Sequence, residues 1–146
     1  ASFKSCTSLV SGPSILPALT LEGRCYRYMF QYCSSLINAL TLPASTLVTE
    51  SYRAMFNGCS LLKKVVCLAT DISATDSIAY FLSSTSSNGV FIKADTMTSW
   101  PITANGGIPS SWTAINYSNM VNNTRVIEKW ELDKTIGDIE TLLAAI

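Results

Sequence analysis

The chain has 146 residues, of which 48% are hydrophobic and 14% are charged, and ten basic residues balance ten acidic ones. This apolar content argues against intrinsic disorder, because the chain can bury enough surface to offset the entropy of ordering. The neutral balance gives no electrostatic footprint for nucleic acid or for an anionic membrane surface, and no apolar run is long enough to span a bilayer. We therefore expect neither a nucleic-acid partner nor membrane insertion.

The sequence contains no histidine. Its absence removes the Ser-His and Cys-His nucleophile pairs, imidazole acid-base chemistry and most zinc sites. The five cysteines form neither a paired disulfide framework nor a CxxC metal motif; they are Cys6, Cys25, Cys33, Cys59 and Cys67. We expect no catalytic residue, no cofactor and no metal, and the protein is predicted not to be an enzyme.

A seven-residue block occurs three times, at 3–9, 30–36 and 56–62, with the sequences FKSCTSL, FQYCSSL and FNGCSLL. A second block, Leu-Pro-Ala, occurs at 16–18 and again at 42–44 in the same phase. Similarity at one fixed period is the sequence signature of repeat architectures. The fold is therefore predicted to be an α/β repeat solenoid, with about three strand-helix repeats over residues 1–88.

Each period is predicted to hold one short helix and one short strand. Leu21, Cys25 and Met29 are spaced four residues apart, which puts them on one stripe of a helix. The segments after each Cys-x-x-Leu, such as 36–39, are predicted strands that pair into a parallel sheet, with Phe, Cys and Leu in the core. Pro17 suits the corner between strand and helix, because proline cannot continue a sheet ladder.

The repeat phase is lost towards the C-terminus. Residues 89–118 are predicted to cap the array, since Trp100 and Trp112 can plug its open end around a Gly-Gly-Ile-Pro turn. Residues 119–146 are predicted to form a linker and an amphipathic helix with a heptad seam. This helix is expected to pack on the array or on another domain, with self-association as the alternative. The seam consists of Leu132, Ile136, Ile139, Leu143 and Ile146.

The phrases Met-Phe-x-x-Cys-x-x-Leu, Leu-Pro-Ala and Cys-Tyr-Arg-x-Met-Phe, which lie within 16–62, resemble the BspA-like leucine-rich repeats of bacterial surface proteins, abundant in gut Bacteroidetes. The segments 67–74, 89–93 and 107–113 resemble the ends of such arrays. The resemblance covers roughly residues 1–115. It implies a secreted or surface-displayed adhesion or recognition module that lacks catalytic residues. One departure is Ser51, which occupies the repeat position of Cys25.

Three groups of side chains invite more than one interpretation. Cys6, Cys33 and Cys59 share a repeat phase and are predicted to be buried, reduced core thiols. The alternatives are a disulfide among Cys25, Cys33, Cys59 and Cys67, or a metal site. Carboxylates such as Asp71 and Asp76 could serve a glycosidase, but solvated surface positions explain them better. Tyr26 and Tyr52, which also share a phase, are expected at the edge of the core rather than in a sugar-stacking site.

The exposed side of the parallel sheet is the predicted binding face. Neighbouring residues of a strand point to opposite sides, so the candidates are the residues that directly follow the last Leu of each seven-residue block. They are Val10, Ser11, Ile37, Asn38, Lys63 and Lys64. The alternative face is the predicted helical side, where Arg27 and Arg53 recur beside Tyr26 and Tyr52.

The sequence favours a non-enzymatic recognition or adhesion module of a cell-surface or secreted bacterial protein, with a protein or glycan partner. The alternative is a bacteriophage virion or fibre component that assembles through the C-terminal helix. A chain that begins Ala-Ser-Phe is expected to be part of a longer protein.

Overall fold

A four-stranded parallel sheet organises the molecule, whose computed structural model describes residues 3–120, 136, 139–140 and 143–144, without the side chain of Ala39. The strands are β1 (Asn38–Leu42), β2 (Lys64–Cys67), β3 (Val90–Lys93) and β4 (Thr113–Asn116). They lie in chain order, and each neighbouring pair is parallel. A short helical segment follows at 117–120, so the fold belongs broadly to the α/β class.

The register of the sheet aligns equivalent residues of successive strands. Lys64 pairs with Asn38 on one side and with Val90 on the other. Strand β1 carries a register shift between Asn38 and Thr41, where it takes three residues to match two of β2. The predicted strands after 36 and 62 and their parallel pairing are confirmed.

The residues before the sheet extend this pattern. Ser11 bridges to Asn38 and Ile15 bridges to Thr41, both in the parallel sense. The backbone N–H of Ile37 donates to the carbonyl oxygen of Val10 at 3.2 Å. The first predicted period is therefore aligned with β1, although it forms isolated bridges rather than a strand.

The predicted helices are wrong. The segments 22–33, 48–59 and 74–85, which we call the turn segments, consist of consecutive turns rather than helix. Within each segment every second N–H donates to the carbonyl three residues earlier, as in Met29 to Tyr26 at 3.2 Å. The residue before each alternate donor has a positive φ, as at Arg24, Tyr28 and Tyr32. Every second turn thus has at its third residue the positive φ that a type II turn requires, and this arrangement recurs every four residues.

The remaining N–H groups of the turn segments point to the next segment along the chain. Tyr26 donates to the carbonyl of Ser51 at 3.1 Å, and Phe30 donates to that of Met55 at 2.9 Å. In an α-helix these N–H groups would instead donate to carbonyl groups four residues earlier in the same segment. Lateral bonding therefore excludes helix, whereas the spacing of Leu21, Cys25 and Met29 is compatible with both structures because each repeats after about four residues.

Side chains of the same repeat phase stack in the core. The rings of Phe3, Phe30 and Phe56 lie nearly parallel, with centroids 5.5 and 5.6 Å apart. The thiol of Cys33 donates to the carbonyl oxygen of Phe3 at 2.9 Å, and that of Cys59 donates to Phe30 at 3.0 Å. The same contact thus recurs one period later, beneath the stacked rings.

The five cysteines are free thiols. Cys33 and Cys59 are buried, as predicted, and Cys67 is buried too. The prediction of burial is wrong for Cys6, which is exposed. Cys6 lies in the first block, and among the described residues none covers it as Phe3 covers Cys33.

Residues 89–118 contribute more than the predicted cap. They supply β3 and β4, which extend the sheet in spite of the lost repeat phase. Trp100 and Trp112 are buried, and the Trp112 indole N–H donates to the carbonyl of Ser86 at 2.8 Å. The Trp100 ring meets Phe91 edge to face, with centroids 4.8 Å apart. Their role as a cap remains a prediction.

The close approach of Gly89 to Trp112 provides a test of this packing. A Cβ on Gly89 would lie 2.2 Å from the Trp112 ring, whereas one on Gly106 would have its nearest neighbour at 3.8 Å. Gly89→Ala should lower the free energy of unfolding by about 1–3 kcal/mol through overpacking, and Gly106→Ala should leave it nearly unchanged. Urea unfolding followed by tryptophan fluorescence measures both. Equal effects of the two substitutions would contradict the packing.

Burial of the thiols predicts alkaline instability. Burial raises the pKa of Cys59 and that of Cys67 to about 12, from an ordinary value of 9.0. Above pH 9 the unfolded thiols ionise while the folded ones stay protonated. The free energy of unfolding should therefore fall as pH rises, by up to about 1.4 kcal/mol per pH unit for each buried thiol.

Denaturant titrations between pH 7 and pH 10.5 under reducing conditions measure this slope. Cys59→Ala should reduce the slope by the share of one thiol, whereas Cys6→Ala should not, because Cys6 is exposed. A slope that is insensitive to Cys59 would show that the thiol is not buried in solution.

Candidate binding face

The six predicted binding residues lie in paired backbone, at the start of β1 and β2 and in the segment that bridges to β1. We call the surface that they form the sheet face; it includes the side of β2 that carries Lys64, opposite the core residue Val65. Val10, Ser11, Ile37, Asn38 and Lys63 are exposed, and Lys64 is half-buried. Their role in binding remains a prediction.

Backbone pairing holds these residues in two adjacent rows. In the first row, Ile37 donates to the carbonyl of Val10, and Lys63 donates to that of Ile37 at 2.9 Å. In the second row, Ser11, Asn38 and Lys64 are successive partners across the sheet. Because the rows consist of paired backbone, the spacing of their side chains is rigid.

The second row continues past the predicted residues. Lys64 pairs with Val90, and Val90 pairs with Thr113, both of which are exposed. The sequence did not indicate these two residues, because β3 and β4 lie outside the recognisable repeat phase. A strand-like run at 90–93, Val-Phe-Ile-Lys, was the signal available for β3.

A cavity of about 330 Å³ opens on the sheet face around Lys64. Its polar lining comes mostly from hydroxyl and amide side chains, and its apolar lining includes Met120 from the helical segment at 117–120. The lining residues are Ser11, Gly12, Pro13, Ser14, Asn38, Thr41, Lys64, Val66 and Met120. The sequence gave no indication of Met120, because nothing in the repeat specifies where the chain goes after β4.

A second cavity, of about 390 Å³, lies around Lys63. It is lined by Lys63, Asn88, Gly89, Val90, Ser111 and Thr113. Two consecutive lysines therefore line two separate cavities. No carboxylate or aromatic residue of the part of the chain that the structure describes belongs to either lining.

Part of the sheet face is covered. Val66 and Ile92 alternate with the core residues Val65 and Phe91, yet only 4% and 2% of their surface is exposed. Neither of them belongs to the main hydrophobic core. The prediction that this whole side of the sheet is exposed is therefore wrong for the row that contains Val66 and Ile92. The open surface consists of the two rows that contain the predicted residues.

On the alternative face, formed by the turn segments, the arginines are paired with carboxylates of the same chain. Glu50 accepts from Arg24 Nε and from Arg27 Nη1, each at 2.6 Å. Arg53 lies 3.7 Å from Glu50 and also binds Asp76. Hydrogen bonds from Arg24 and then Arg27 hold the pKa of the Glu50 carboxyl below its ordinary value. The two arginines proposed for this face thus already have carboxylate partners.

The aromatic and carboxylate candidates have structural surroundings. Tyr26 is partly buried and packs against the core, as predicted, whereas Tyr52 is fully buried inside the core rather than at its edge; their rings are 6.1 Å apart. Asp71 accepts from the backbone N–H and the hydroxyl of Ser73, and these bonds lower the pKa of its carboxyl. Asp76 is the partner of Arg53.

Two searches within the described part of the chain returned nothing. No group of three or more His, Cys, Asp or Glu side chains there is placed to hold a metal ion. In the same residues no helix has the length and the apolar character that crossing a membrane requires.

The predicted C-terminal seam is described in part. Ile136, Ile139 and Leu143 are helical and have exposed fractions of 47%, 52% and 64%. Leu132 and Ile146, the first and last residues of the seam, lie outside the described residues. The three described side chains share the spacing of one helical stripe.

Comparisons with protein-family models, with curated proteins and with solved structures find no match to this chain. Any functional assignment therefore rests on the residues and their geometry.

Proposed function

We propose that the chain is a leucine-rich-type repeat solenoid that acts as a non-enzymatic recognition module. The observation that carries this proposal is the alignment of Val10, Ile37 and Lys63, and of Ser11, Asn38 and Lys64, in two rows of an open sheet face. Recurrence of one backbone bonding pattern, from Tyr26 to Ser51 and from Tyr52 to Ser77, supports the solenoid. Such a scaffold offers many side chains at little ordering cost when a partner binds.

A binding role fits the chemistry of this face better than catalysis does. The chain has no histidine, and among the described residues no carboxylate or cysteine lines either cavity on the sheet face. Both linings instead contain hydroxyl, amide and ammonium groups, which form hydrogen bonds with a partner but need a base to act as nucleophiles. The partner class that we propose is a protein or a glycan, and the location that we propose is the cell surface or the outside of the cell.

Substitution of the exposed apolar residues of the sheet face tests the binding role. Val10→Glu with Ile37→Glu should weaken binding at least tenfold in a solid-phase screen against glycan and surface-protein panels. The melting temperature should stay nearly unchanged, because both side chains are exposed.

Leu19→Glu with Tyr80→Glu is the matched control. These residues are also exposed and apolar, with Tyr80 on a turn segment. The proposal fails if no panel member binds the intact chain, or if the control pair proves the sensitive one.

A second candidate function, a virion or fibre component, is favoured by the exposed stripe of Ile136, Ile139 and Leu143. Apolar side chains at helical spacing that find no cover within one chain are suited to assembly with other copies. Two heptads alone make a weak coiled coil, so assembly would draw on contacts along a fibre as well.

Self-association through this stripe can be measured directly. If the stripe mediates assembly, the intact chain should form oligomers at micromolar concentration in sedimentation velocity. Replacement of Ile136, Ile139 and Leu143 by Gln should return it to a monomer. Glu140→Gln, an exposed substitution on the same helix, is the control. A monomeric intact chain would remove the support for a virion role.

A further inference from the structure

We propose that the two cavities around Lys63 and Lys64 are adjacent subsites for an acidic glycan, with each lysine facing one anionic group of neighbouring sugar residues. This inference rests on the proposed recognition role of the sheet face and specifies its ligand class. The cavities measure about 330 and 390 Å³, within the range of small-ligand pockets.

The charges on the two sides of the molecule differ in their partners. On the turn segments, Arg24, Arg27 and Arg53 all form ion pairs with Glu50 or Asp76. On the sheet face, Lys63 and Lys64 form no ion pair with any carboxylate of the described residues. Within the described residues this face therefore carries positive charge without an internal carboxylate partner, although the whole chain is neutral.

Neutral polar groups surround each ammonium group. Ser11, Ser14, Asn38 and Thr41 line the Lys64 cavity. Asn88, Ser111 and Thr113 line the Lys63 cavity. Hydroxyl and amide groups donate to and accept from sugar hydroxyls, while an ammonium group recognises a carboxylate or a sulfate as a point charge. A ligand rich in hydroxyls that also carries anionic groups satisfies both sets.

The two lysines line separate cavities although they are consecutive in the chain. Lys63 precedes β2 and Lys64 begins it, and their Cα atoms are joined by one peptide unit, about 3.8 Å. Lys64 lines one cavity and Lys63 the other. Two ammonium groups in separate cavities suit two anionic groups of one ligand chain better than a single bidentate anion.

The same surface is a poor match for nucleic acid. Binding of single strands relies on aromatic side chains that stack on bases, and no aromatic residue of 3–120 lines either cavity. The neutral net charge also gives little counterion release on binding a polyphosphate. Single-stranded DNA therefore serves as the polyanion control.

Isothermal titration calorimetry of the full chain with defined oligosaccharides is the test. The probes are tetragalacturonate, its methyl-esterified neutral form, a sulfated tetrasaccharide and a single-stranded DNA of equal charge. We expect binding of a carboxylated or a sulfated probe, which weakens with added salt. The neutral ester should bind at least tenfold more weakly, since it keeps the hydroxyls but loses the charge.

Lys63→Gln and Lys64→Gln should each weaken binding of the acidic probe by roughly five- to twentyfold, which is the scale of one charge-assisted hydrogen bond. Lys4→Gln is the matched control, because Lys4 lies over the Tyr28 ring next to a turn segment and removes the same charge. The two acidic probes distinguish a carboxylate from a sulfate as the natural anion.

Each remaining outcome counts against the inference. Equal binding of DNA and glycan, or equal losses from Lys4→Gln and Lys64→Gln, would show non-specific charge attraction. A neutral glycan or a protein that binds through Val10 and Ile37 without the lysines would overturn the acidic ligand while the recognition role stands. If nothing in either screen binds the sheet face, both fail.

Discussion

Lateral backbone hydrogen bonding between segments about 26 residues apart is the constraint on which the rest of the structure depends. In the turn segments half of the N–H groups are donated sideways, as from Phe30 to Met55. In the sheet, residues with a similar separation in sequence are also paired between neighbouring strands, as Asn38 is with Lys64. A buried backbone donor without a partner is costly, so each segment must present its donors at the same spacing as its neighbour. Side chains of equal phase are consequently brought into columns.

These columns explain why the core and the sheet face are equally regular. Phe3, Phe30 and Phe56 stack because their backbones are bonded in register, and their rings add dispersion contacts on the inner side. The register shift in β1 lets Leu40 and Leu42 both remain in the core while Asn38 stays on the sheet face. Without that extra residue, half of the strand would point to the wrong side.

The repeat phase alone predicted the parallel strands after 36 and 62, the buried Cys33 and Cys59, and the two open rows. It could not separate turns from helix, because both repeat after about four residues; a positive φ at non-glycine residues such as Tyr28 leaves no trace in residue type. Nor could the repeat phase indicate that β3 and β4 continue the sheet. Their pairing uses backbone groups, which are present whether or not the side chains follow the repeat.

The two long sides of the molecule satisfy their charges in opposite ways. The turns bring Glu50 beside arginines of both its own segment and the preceding one, and these ion pairs join neighbouring turn segments. Lys63 and Lys64 line separate cavities instead, and neither is paired with a carboxylate of the described residues. Because local backbone geometry decides which cations are paired internally, substitutions of exposed residues on the sheet face should leave the backbone pairing intact, and the proposed binding role is the property that they would change.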